Sequence, residues 1–185
     1  DVRSSLIVVM TLVLTPLITF MTMNHYGISA NLMSLGGLAI AIGLMVDGSV
    51  VVVENAFRHL GERKDSGESK FHIILDAASE VGKPVLFGIG IIILVFLPLL
   101  SLEGMEGKMF APLALTIAIA LTVSLILSFA LTPVLCSYWL KGGAEHDTWL
   151  VAVIKKPYLK LLGWAVVNQK KVTFAALALF FGSLS

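Results

Sequence analysis

The chain has 185 residues, 57% of them hydrophobic and only 14% charged, with a net charge of +1 and a mean hydropathy of +0.94. Soluble globular domains run near a quarter charged, so the composition excludes one soluble domain and points to an all-α polytopic membrane protein. A single cysteine, Cys136, excludes an intrachain disulfide, and no basic patch of the kind that binds nucleic acid stands out.

No Asp, Glu, Lys or Arg occurs between Arg3 and Asp47, which leaves room for two spans of about 20 residues each. The polar break Asn24–Asn31 divides them into a first span over 5–23 and a second over 32–57. A charged loop over 58–83 follows, with an amphipathic patch at Phe71–Ala78. Span three runs over 84–102, with Pro84 expected in its first turn, where a missing N–H is harmless. A short loop, 103–108, leads to span four over 109–140, in which Pro112 and Pro133 are candidate kinks. These four spans and their loops make a helix bundle over 1–140. The stretch 141–170 is expected to be a cytoplasmic segment whose part 149–164, with Trp149, Tyr158, Trp164 and three lysines, lies along the membrane interface as an amphipathic helix. Residues 171–185 begin a fifth, truncated span, so that a piece of a longer polypeptide is expected.

Orientation follows from the basic residues. Loop 58–83 holds five Lys/Arg and segment 141–171 holds six, whereas loops 24–31 and 103–108 together hold only Lys108. With Arg3, twelve of thirteen fall on one side, which the positive-inside bias makes cytoplasmic.

Asp47 and Glu54 interrupt the second span. Seven residues apart, they share a helix face at a separation of roughly 10 Å along the axis. Gly36, Ile40 and Gly43 fall on the same stripe, with Ala39 and Gly48 beside it, so an acidic, small-residue face directed to the protein interior is expected. An ionised Asp near mid-membrane costs at least ~2.5 kcal/mol, so Asp47 must be paired, hydrated or protonated. Each of these states suits a proton site. A structural carboxylate hydrogen-bonded to another helix is the alternative, and Glu54, one turn from Arg58, is also placed to snorkel. Gly88–Gly90 lies in an apolar span and is no dinucleotide loop. His25, His59, His72 and His146 show no metal-ligand spacing, and no nucleophile-plus-base pair or cofactor motif is present.

The segment NLMSLGGLAIAIGLMVDGSVVVVENAFRHL, Asn31–Leu60, resembles the inner-membrane pumps of the resistance-nodulation-division superfamily, and within it the heavy-metal efflux branch. FAPLALT at Phe110–Thr116 and LTPVLC at Leu131–Cys136 carry the same resemblance. It implies transmembrane helices three to six of such a pump, its cytoplasmic interfacial helix and the start of helix seven, in a bacterial inner membrane. It implies a proton/cation antiporter in which Asp47 is the central relay aspartate, followed by Glu54 and Asn55. Gly48, where drug exporters carry a second aspartate, favours the metal branch. Ala41 stands where the cobalt-zinc-cadmium type carries an aspartate, and Met33 and Met45 fit the methionines of the copper/silver type as metal contacts; the metal stays open. The implied partners are the remainder of the polypeptide, with a lysine as counter-charge to Asp47, and a homotrimer with a periplasmic adaptor and an outer-membrane channel. A drug or lipid exporter on the same fold and a non-transporting membrane scaffold are the alternatives.

Cysteines placed at Ser66 and Glu145 of the full-length protein are expected to label with an impermeant reagent only from the cytoplasmic side, and one at Ser29 only from the periplasm. Labelling of position 66 from the periplasm reverses the orientation.

Overall fold

A computed structural model describes residues 2–64, 66–140 and 149–183. Among the described residues the regular structure is entirely helical. The chain divides into two compact units, Asp1–Ala144 and Glu145–Ser185. The first contains α1 (Val2–His25), α2 (Leu32–Glu62), α3 (Lys70–Phe96), a 3₁₀ turn (Leu97–Ser101) and α4 (Gly104–Trp139). Four helical segments, Val2–His25, Leu32–Glu62, Lys70–Ser101 and Gly104–Trp139, are long and apolar enough to cross a membrane, as a multi-pass membrane protein requires. The second unit holds α5 (Trp149–Val167) and α6 (Gln169–Ser183), which meet at Asn168. The expected linker, with Glu145 and His146, lies outside the described residues.

Local chemistry sets the helix ends. At the end of α1, Gly27 takes φ 67°. The Ile28 N–H reaches the Met23 carbonyl at 2.9 Å and the Gly27 N–H reaches that of Asn24 at 3.2 Å, the two bonds of a Schellman stop. At the start of α2, Asn31 Oδ1 accepts from the Ser34 N–H at 2.9 Å, and Ser34 Oγ accepts from the Asn31 N–H at 2.9 Å. This reciprocal box satisfies two N-terminal donors.

The charged stretch 58–83 folds differently from the loop expected there. α2 continues to Glu62 and α3 begins at Lys70, capped by Ser69, so only 63–69 links them. The patch at Phe71–Ala78 is the opening of α3: Ile73, Ile74, Ala77 and Ala78 are buried, and the first three pack with Val53, Ala56 and Leu60 of α2. The charges decorate the outer faces of two packed helices. Pro84 therefore falls inside α3, not in its first turn. Likewise most of 103–108 belongs to the first turn of α4, a 36-residue helix of roughly 54 Å.

α2 packs on α1, α3 and α4, most extensively on α4. Its buried side carries Gly37, Ala41, Met45, Gly48, Ser49, Val52 and Ala56. A Cβ on Gly37 would lie 2.7 Å from the Leu113 carbonyl oxygen, so the α2 and α4 backbones touch here. The small-residue packing that lipid-embedded helices favour is thus used directly. Several buried hydroxyls are satisfied within the bundle. Thr15 and Thr19 donate to the carbonyls of Thr11 and Thr15 at 2.7 Å, and Ser49 Oγ meets Ser128 Oγ of α4 at 3.0 Å.

Gly37→Ala in the full-length protein is expected to lose about 1–3 kcal/mol of stability, as overpacking does. Gly48→Ala meets side chains only at 3.5–3.6 Å and is expected to stay within about 1 kcal/mol of wild type. Thermal unfolding in detergent measures both. Ser49→Ala or Ser128→Ala is expected to cost about 0.6 kcal/mol, with the double substitution close to either single one.

Candidate functional site

A rotation of 100° per residue divides α2 into two working faces. One packs against the neighbouring helices. The other carries Ile40 (46% exposed), Gly43, Asp47, Val51 (38% exposed) and Glu54, all open in this four-helix unit. The acidic stripe and the buried small residues are therefore not one face, as expected from the sequence, but opposite ones. Gly48 shows the division at a single step. It adjoins Asp47 in sequence, yet a Cβ there would meet Ser128, Ile89 and Val85 of α4 and α3. Among the described residues no hydrogen bond or ion pair reaches the Asp47 or Glu54 carboxylate.

Glu54 borders a groove of about 390 Å³ between α1 and α2, lined also by Ser4, Ser5, Val8, Val50 and Phe57. The Ser4 hydroxyl is buried there without a hydrogen-bond partner. Such a groove combines apolar walls with one carboxylate and two hydroxyls, and is polar enough to hold water beside Glu54.

Asn55 adjoins Glu54 but lies on the packed side, 8% exposed, facing α3. Its Nδ2 donates to the Ala77 carbonyl at 2.8 Å and to Glu80 Oε2 at 3.1 Å, while its Oδ1 accepts from Arg58 at 2.7 Å. Glu80 Oε2 is also 2.8 Å from His59 Nε2, and Glu80 Oε1 is 3.7 Å from Arg58. The carboxylate accepts from His59 Nε2–H, and His59 Nδ1 is buried without a hydrogen-bond partner. Glu80 precedes the apolar run that starts at Pro84.

The two methionines proposed as metal contacts are not brought together. Met45 is 2% exposed in an apolar cluster with Ile89, Ile117 and Leu121. Met33 sits twelve residues earlier on α2, roughly 18 Å along the axis. Among the described residues no group of three or more His, Cys, Asp or Glu side chains is arranged to hold a metal ion. Two features escaped the sequence reading. The Thr11–Thr15–Thr19 ridge was visible in its four-residue spacing. Glu80 was not, because its partners stand more than twenty positions away and nothing local marks them.

The profile of the AcrB/AcrD/AcrF family matches residues 1–185. Protein HelA of Legionella pneumophila is 39% identical over 191 residues, covering 100% of this chain and 18% of HelA. Cation efflux system protein CusA of Escherichia coli (strain K12) is 36% identical over 176 residues, with 88% of this chain and 17% of CusA covered. Cobalt-zinc-cadmium resistance protein CzcA of Cupriavidus metallidurans is 38% identical over 187 residues, with 97% of this chain and 17% of CzcA covered. The chain thus spans less than a fifth of the length of these relatives. With the match running from end to end, and with the membrane helices and the Asn31–Leu60 motif in place, the chain belongs to the AcrB/AcrD/AcrF family, as its resemblance to resistance-nodulation-division pumps implied.

Proposed function

We propose that the chain is part of the membrane domain of a proton-driven exporter of heavy-metal cations, a secondary active transporter in which Asp47 carries the coupled proton. The observation that carries this reading is the position of Asp47: open on one face of α2, an apolar helix of 31 residues, with no partner among the described residues. A carboxylate there is stable only if it is protonated, hydrated or met by a cation. A proton carrier alternates between such states. When a cation approaches, the charged form is favoured and the proton leaves; when it withdraws, burial favours the neutral form and a proton is taken up. The counter-charge is a lysine in the rest of the polypeptide, docked on the exposed acidic face.

Glu54 stands on the same face two turns nearer the charged end of α2. The adjoining groove would let water reach it, so it serves as a secondary acid toward the cytoplasm. Asn55 faces α3 and takes no direct part in the transfer. Metal cations are the cargo, in keeping with the names of CusA and CzcA, and the exporter works in the bacterial inner membrane as a trimer with a periplasmic adaptor and an outer-membrane channel. Met45 packs the core. Met33, half-buried near the start of α2, is the thioether of the pair left within reach of a passing cation.

Asp47→Asn in the full-length protein keeps the size and hydrogen bonding of the side chain but cannot take up a proton. It is expected to insert and assemble normally while active metal export falls to background. Glu54→Gln is expected to retain a measurable fraction of wild-type export. Export against a gradient at the wild-type rate by Asp47→Asn removes the proposal.

A further inference from the structure

We infer that Glu80 is a positioning residue for the relay helix: through Asn55, Arg58 and His59 it locks the charged end of α2 to α3, so that the two helix ends move as one body during transport. The functional half of this inference rests on the reading of Asp47 as the proton carrier. The geometric half stands on its own contacts.

Asn55, Arg58 and His59 occupy positions i, i+3 and i+4 of α2, one face of the helix, and all three converge on a single carboxylate of α3. Burying the Asn55 amide is unfavourable unless its polar atoms are bonded. Here both of its bonds to α3 come from Nδ2, and Oδ1 is held by Arg58. One of those bonds goes to a backbone carbonyl, that of Ala77. A sliding α3 would therefore break the amide bond as well as the ion pairs. His59, only 11% exposed, adds a short contact to the Glu80 carboxylate, which is itself 55% exposed, so the geometry of three converging donors and not burial gives the clamp its hold.

Apolar packing and a bridged link surround the clamp. Ile73, Ile74, Ala77 and Ala78 are buried next to the clamp. Further along, Leu86, Phe87, Ile91, Leu94 and Val95 are 52–67% exposed on the outer side of α3, while Ile89 is buried with Met45, Ile117 and Leu121 and Val85 and Ile92 pack beside it. The link 63–69 is itself bridged, with Arg63 2.9 Å from Asp76 and 3.3 Å from Glu68. Asp47 lies eight residues from Asn55, roughly 12 Å along the same helix. A displacement of α2 caused by a change of charge at Asp47 is thus delivered to the base of α3 by the clamp. Without it, the displacement would be absorbed by slippage between the two helices.

The test uses the full-length protein with Glu80→Ala and Glu80→Gln, and with spin labels on cysteines at Glu62 and His72. Glu80→Ala removes the bonds to Asn55, Arg58 and His59 and leaves only the Asn55–Ala77 bond of the clamp. Glu80→Gln keeps an acceptor for Asn55 but no charge. The expected result is a widened 62–72 distance distribution in Glu80→Ala, with the maximal export rate reduced about tenfold, the scale of losing a hydrogen bond to a charged group. The metal concentration giving half-maximal export is expected to stay unchanged, and Glu80→Gln to recover a narrow distribution and most of the rate. An unchanged distribution in Glu80→Ala overturns the clamp, whatever Asp47 does. A widened distribution with wild-type export rate overturns its role in transport. Failure of the relay reading is seen separately, as wild-type export by Asp47→Asn.

Discussion

A carboxylate in the middle of an apolar helix has to be separated from the packing that holds the helix in place, and α2 meets that constraint by rotation alone. Each residue turns the chain by 100°, so Asp47 faces out while Gly48 and Ser49 face α3 and α4. The separation matters because ionised Asp is unfavourable in hydrocarbon by at least ~2.5 kcal/mol. Placed on the packed face, it would have to find a partner among apolar side chains such as Met45, Ile89, Ile117 and Leu121. Placed on the open face, it is available to a partner that can come and go.

The packed face is built for close approach instead of bulk. Gly37 lets the α2 backbone touch that of α4, and Ala41 and Ala56 continue the narrow side. In lipid, helices gain little from hiding apolar surface from one another, so intimate contact and interhelical hydrogen bonds hold them together. The hydroxyls obey the same rule. Thr15 and Thr19 bond back to their own helix, and Ser49 pairs with Ser128 across to α4. The Asp47 and Glu54 carboxylates have no such partner among the described residues.

Toward the charged end the organisation changes from small residues to a polar network. Asn55 marks the change, with Val52 and Val53 in the core one turn before it and Arg58 and His59 bonded around it one turn after. The network joins the base of the helix proposed to carry the proton to the one neighbour whose far half is largely exposed. Asp47, Glu54 and Asn55 therefore belong to different environments, although they lie within nine residues of one helix. Asp47 and Glu54 face outward, and Asn55 faces the next helix.

Four membrane-crossing helices, the break at Asn24–Asn31 and the depth of Asp47 along its span were legible in the sequence, because hydropathy and the 3.6-residue repeat are local properties. So was the family motif between Asn31 and Leu60. Tertiary structure decided which side of α2 would be buried, because glycines on both sides made the two faces equally suited to packing. It also decided that 58–83 would be two packed helix ends with a short link. A helix with one apolar side and one charged side has the same composition as a charged loop, and only the contacts of Ile73, Ile74 and Ala77 with Val53, Ala56 and Leu60 tell them apart. Asn55 and Glu80 stand 25 positions apart, a separation at which no sequence period pairs residues, and folding of α3 back along α2 brought them together.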